Sequence, residues 1–148
     1  MSLDFTLYEI ITHNDVEVHN IHKVKEVLFL SNFTAMLITE WFYHKNGKML
    51  HDNIRENGYY IECYGYTLIE LKKHLNMILS SEDEVQRNLL ALNYFPTTFV
   101  EGYYVNEVEI FSDEYYSRLI LIYEKLKDIM PNDNIDNHER LFVYKVSW

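Results

Sequence analysis

The chain has 148 residues, 48% of them hydrophobic, with four glycines, two prolines and one cysteine. That composition excludes a disordered chain and a disulfide-stapled scaffold, and no apolar run approaches the roughly 20 residues needed to cross a bilayer. The formal charge of −10, from 13 basic and 23 acidic residues, argues against direct binding of nucleic acid, which needs a basic face turned to phosphate.

In chain order, the first predicted element is a strand in LDFTLYEII, where Phe5, Leu7 and Ile11 share one parity. A short helix is expected over about residues 20–30, because Ile21, Val24 and Leu28 follow helical spacing and Asn20 can cap it. Two Asn-Gly dipeptides follow, Asn46-Gly47 and Asn57-Gly58. Asn-Gly accepts the positive φ of a type I′ turn, so they predict a three-stranded meander over about 35–65.

Thr67 with Glu70, and Ser81 with Glu84, have the spacing of capping boxes and open two successive helices. The first carries a stripe of Leu68, Leu71, Leu75, Ile78 and Leu79; the second carries Val85, Leu89 and Leu92 and should end near Phe95-Pro96. Residues 97–111 read as extended. Ser112 then caps a helix whose first turn holds Asp113 and Glu114 and whose stripe is Tyr116, Leu119, Ile120, Tyr123, Leu126 and Met130, stopped by Pro131. A polar loop, NDNIDNHE, leads to a last strand, RLFVYKVSW. The predicted order is β-α-β-β-β-α-α-β-α-β. It describes one α+β domain over residues 1–148, with a mostly antiparallel sheet and helices packed on one face.

The negative charge is concentrated. Eight acids lie between Glu82 and Glu114 against Arg87 alone, a local charge of −7, while residues 115–148 are neutral with five of each sign. Within that segment EGYYVNEVEIFSDEYY holds five carboxylates, four tyrosines and no base. Glu107 and Glu109 share strand parity, as a general acid and base must, but nothing nearby supplies the partner that would separate their pKa values. A carboxylate strand with tyrosine neighbours instead suits recognition, with rigid amphipathic rings for contact and a field that speeds encounter with a positive surface. Glu101, Tyr103, Tyr104, Glu107, Glu109, Asp113 and Glu114 are the expected partner-binding face, with Glu82, Asp83 and Glu84 as its rim.

Other chemistry finds weaker support. His19 and His22, with His13 and Asp15 nearby, lack the second spaced pair of a zinc site, and the predicted first hairpin would set His44 diagonal to His51. Glycine-rich phosphate loops and the G-x-S-x-G elbow are absent, and Cys63 has no identifiable base. No catalytic residue, metal site or cofactor is assigned. The sequence thus points to a non-enzymatic acidic inhibitor that occludes a basic nucleic-acid-handling protein, such as a nuclease. An immunity protein against a nuclease toxin, or a phage-encoded inhibitor of a bacterial defence nuclease, would fit this reading. The rival readings are a homo-oligomeric structural or ligand-binding module, down to a homodimer, and a small metal-dependent hydrolase using His and carboxylate groups. The single Cys63 and an N-terminus without the basic start of a cleaved leader make the cytoplasm the expected compartment, with no membrane partner.

Overall fold

A computed structural model describes residues 3–11, 24–46, 61–97, 103–105 and 108–147, with backbone alone at 44–46, 103–105 and 108. The chain is α+β. Strand β1 (Asp4–Ile10) lies at the centre of a four-stranded antiparallel sheet, flanked by β2 (Val24–Ser31) and by β6 (Leu141–Ser147), with the short β3 (Ile61–Tyr64) beyond β6. The first and last strands of the protein are therefore hydrogen-bonded neighbours, Phe5 opposite Val146 and Leu7 opposite Tyr144. Such pairing closes the whole chain length in one step and carries the entropy of a long loop.

Side-chain alternation decides which face of the sheet is covered. Phe5, Leu7, Leu28, Leu30, Cys63, Phe142, Tyr144 and Val146 are buried on one face, while Phe29, between two buried leucines, is half exposed on the other. Helices α1 (Asn32–Asn46), α2 (Gly65–Leu79), α3 (Glu84–Tyr94) and α4 (Asp113–Ile129) complete one contiguous core with the covered face. Its centre is aromatic. Phe42 of α1 packs 4.5 Å from the Tyr144 ring and 5.7 Å from Phe5. A two-stranded hairpin of β4 (Tyr103–Val105) and β5 (Val108–Ile110), and the one-turn helix α5 (Ile135–His138), complete the described elements.

Two expected elements are corrected. The helix over 20–30 is strand β2 from Val24 onward, its earlier residues lying outside the described ones. Leu28 and Leu30 face inward at period two against Phe5 and Leu7, and this sheet pairing overrides the looser helical spacing. A register shift opposite Leu7/Tyr8 leaves Val27 without a cross-strand partner, a bulge that bends the edge strand.

The first strand of the meander expected over 35–65 is instead helix α1, and its last strand is found as β3, paired with β6; residues 47–60 lie outside the described ones. Thr34, Ala35, Leu37, Ile38, Trp41 and Phe42 are all buried at helical spacing, and the Thr39 hydroxyl donates to the Ala35 carbonyl at 2.6 Å, as β-branched hydroxyls can inside a helix. Gly47 and Asn57-Gly58 lie outside the described residues. Asn32 enters α1 at φ 54°, a left-handed conformation that asparagine tolerates, and its N–H donates to the Leu3 carbonyl.

The later elements follow the sequence more closely, with shifted caps and faces. Helix α2 begins at Gly65, so Thr67 is a buried residue of its first turn and not its cap. Asp83, not Ser81, caps α3, its carboxylate accepting from the Val85 N–H at 3.0 Å. Ser112 caps α4 as expected, but Tyr115, Ile122 and Ile129 face the core and Ile120 faces out.

A polar knot locks the C-terminal third. Arg140 forks onto Glu9 at 2.6 and 2.8 Å and donates to the Ile129 carbonyl and to Asn137 Oδ1. Lys72 covers the next carbonyl, Met130, at 2.6 Å, so the last turn of α4 is capped by cations, as its dipole favours. The Gly65 N–H donates to the Arg140 carbonyl, and a Cβ at position 65 would stand 1.7 Å from the Asn137 carbonyl oxygen. Gly65 is required for space, because what it abuts is backbone. Gly65→Ala should therefore destabilise the protein by about 1–3 kcal/mol, read as a lower urea midpoint and melting temperature. An unchanged midpoint would mean that the α5 connection shifts freely.

Candidate acidic interaction surface

The residue that organises this region is Asn88, 2% exposed in the middle of α3. A buried amide needs partners for both ends of its side chain. Its Nδ2 donates to the Glu109 carbonyl at 2.6 Å, and its Oδ1 accepts from the Phe111 N–H at 2.8 Å and from the Tyr116 hydroxyl at 3.2 Å. One side chain thus ties α3, β5 and the first turn of α4 together. Tyr115 adds a second tie, its buried hydroxyl donating to the Phe95 carbonyl at 2.8 Å.

Around this clasp the carboxylates point outward. Glu109, Asp113 and Glu114 are exposed, as are Glu82 and Asp83, and Glu84 is partly exposed. They come from three elements that Asn88 holds at fixed relative positions. Among the described residues two bases stand beside them. Arg118 pairs with Glu114 at 3.4 Å, and the Arg87 guanidinium lies 4.5 Å from the Tyr116 ring centroid. Burial pushes the Tyr116 hydroxyl up from its ordinary pKa and nearby Glu84 adds to this, while the hydrogen bond from Arg87 opposes it.

Glu101 and Glu107 lie outside the described residues. Tyr103 and Tyr104 sit on β4 opposite Ile110 and Glu109, with only their backbone described. The other doublet of this stretch belongs to the core. Tyr115 is fully buried and Tyr116 nearly so, which removes both as contact anchors. Asp83 combines rim position with a structural duty as the α3 cap.

An open groove of about 410 Å³ adjoins the clasp, lined by Leu79, Arg87, Tyr116, Ile120, Tyr123 and Glu124 among others. Two of its polar side chains have partners. The Tyr123 hydroxyl donates to Asn76, and Glu124 pairs with Lys127 at 3.0 Å. No protein-family model matches the chain, and neither does any curated protein or solved structure compared with it. Geometry and charge alone carry the assignment.

Catalytic and metal readings gain nothing from the geometry. Among the described residues no three His, Cys, Asp or Glu side chains converge as metal ligands. The diagonal placement of His44 and His51 on one hairpin face is corrected, since His44 lies in helix α1 and not in a strand; His13, His19, His22 and His51 are outside the described residues. Of the remaining histidines, His74 accepts from the Trp41 indole at 2.9 Å and stacks on Tyr94, and His138 bonds the Asp133 carbonyl. Cys63 faces the core, and burial pushes its thiol up to about 12.

Asn88 was not singled out in the sequence. The available signal was an asparagine inside an apolar helical run, QRNLLAL, where a polar side chain either faces water or holds a clasp.

Two outcomes follow from this geometry. Asn88→Ala leaves the Phe111 N–H and the Glu109 carbonyl without their partner and should lower unfolding free energy by about 2–3 kcal/mol in urea titration; a neutral result would mean that the clasp is redundant. Cys63, its thiol pushed up by burial, should stay protonated at pH 8 and resist a thiol reagent until the protein is unfolded. Rapid labelling of the native protein would contradict its burial.

Proposed function

We propose that this protein is a non-enzymatic acidic inhibitor that binds and occludes a basic, nucleic-acid-handling protein, a nuclease being the best-suited kind of target. The observation that carries the reading is the set of outward carboxylates on α3, β5 and α4 around Asn88, among which, of the described residues, Arg118 pairs with Glu114 and Arg87 lies over the Tyr116 ring. A protein that handles nucleic acid presents Lys and Arg to phosphate. A folded carboxylate surface can take the same seat, because it offers complementary charge at spacings its scaffold fixes. Toxin immunity proteins and phage-encoded anti-defence proteins use this logic.

The energetics divide by position. A central anchor should be worth at least about 2 kcal/mol of binding, whereas rim acids such as Glu82 act mainly on association rate and salt dependence. Long-range attraction fades over a Debye length, about 8 Å at physiological ionic strength. Binding should therefore weaken steeply as salt rises.

The test is affinity capture from lysates of the cells that make the protein, at low and high salt, with wild type and Glu107→Lys/Glu109→Lys as baits. A basic protein held by wild type, released by salt, lost with the variant and blocked in nucleic-acid binding when complexed is the expected result. A partner indifferent to both salt and charge reversal would overturn the reading.

A further inference from the structure

We propose that the outward leucines of α3 are the apolar anchor of this acidic surface and dock in an apolar groove edged by Lys and Arg on the partner; the proposal rests on the inhibitor reading above. In sequence, Val85, Leu89 and Leu92 look like the buried stripe of an amphipathic helix. In the structure the helix is turned the other way. Asn88, Ala91 and Phe95 face the core, while Leu89 and Leu92 are each 48% exposed.

The cause of that rotation is the clasp. Asn88 must reach the Glu109 carbonyl, the Phe111 N–H and the Tyr116 hydroxyl, and the Tyr115 hydroxyl must reach the Phe95 carbonyl, so the helix cannot roll its leucines inward without breaking these four hydrogen bonds. Two large apolar side chains are thereby held at the surface on a rigid element. The acids sit at the near end of the same helix, with Glu82 and Asp83 leading into it and Glu84 in its first turn. Eleven residues at 1.5 Å rise make α3 about 16 Å long, so leucines and carboxylates fall within one protein-sized footprint. An apolar centre with a charged margin is the anatomy of a non-obligate interface.

Charge selects the occupant. The one base on α3, Arg87, lies on the far side of the helix, over Tyr116. A second copy of this chain is disfavoured in either orientation. Parallel docking sets Glu82, Asp83 and Glu84 against their counterparts, and antiparallel docking sets them against a helix C-terminus with no basic residue in its last turn. A partner with bases beside an apolar groove satisfies both features at once.

The test places a photo-crosslinking benzoylphenylalanine at position 89, 92 or, as a comparably exposed control on another helix, 120, in the full chain, and irradiates it in the lysate used for capture. The captured protein is then purified and titrated with wild type, Leu89→Ser/Leu92→Ser and Ile120→Ser/Leu121→Ser. The expected result is a basic protein crosslinked from 89 or 92 and not from 120, with affinity lost about tenfold or more in the α3 variant alone, and with its salt dependence and melting temperature retained. Crosslinking to a second copy of the chain would overturn the proposal. So would a basic partner that needs the acids and is indifferent to Leu89 and Leu92, which leaves the inhibitor reading standing. If no basic protein is captured by any bait, both fall together.

Discussion

The fold hangs on the fork that Arg140 makes with Glu9. Glu9 ends the inward-facing row of β1 after Phe5 and Leu7, and Arg140 stands just before β6, so their two hydrogen bonds clamp the first and last strands where the apolar face gives way to water. The same guanidinium holds the Ile129 carbonyl at the end of α4, and its own backbone carbonyl receives the Gly65 N–H at the start of α2. Four elements distant in sequence meet at one residue. The pair is about a quarter exposed on each side, so screening trims its Coulomb attraction. Its geometric role survives that discount, because a bidentate fork fixes orientation as well as distance.

Asn88 plays the matching part at the first turn of α4, whose last turn Arg140 holds. The Arg140 knot joins termini of elements, whereas Asn88 lies mid-helix and joins a helix to a strand edge. An apolar residue there would pack as well and would leave the β5 carbonyl and the Phe111 N–H buried without partners. The amide satisfies both and also sets the rotation of α3. That rotation determines what the surface displays.

How far this was legible depended on whether one period competed with another. Strand β1, strand β6 and helix α4 were readable because alternation, an N-cap at Ser112 and a stop at Pro131 all agreed. Strand β2 was not, since Val24 and Leu28 satisfy both helical and extended spacings and only the pairing with β1 decides between them. Helix α1 was lost to the Asn46-Gly47 dipeptide, which signals a hairpin but equally stands where helices end. The charge segment was plain from composition. Tyr115 and Tyr116 were not separable from the exposed tyrosines by sequence, because a ring that is core and a ring that is contact differ only in what surrounds them.

The acidic surface and the inverted leucine stripe have a common origin, and that is the strongest reason to consider them together. Helix α3 gains nothing for its own stability by exposing Leu89 and Leu92, since burying such a side chain fully would contribute about 1.5–3 kcal/mol. The hydrogen bonds at Asn88 and Tyr115 hold it in that orientation, and the bonds of Asn88 tie β5 and the first turn of α4, which carry Glu109, Asp113 and Glu114, to the helix that carries Glu84. An apolar residue at 88 would free the helix to roll its leucines inward, but it would leave the Glu109 carbonyl and the Phe111 N–H buried without partners. The clasp therefore fixes, with one set of hydrogen bonds, both the orientation of α3 and the apolar side chains that it leaves at the surface.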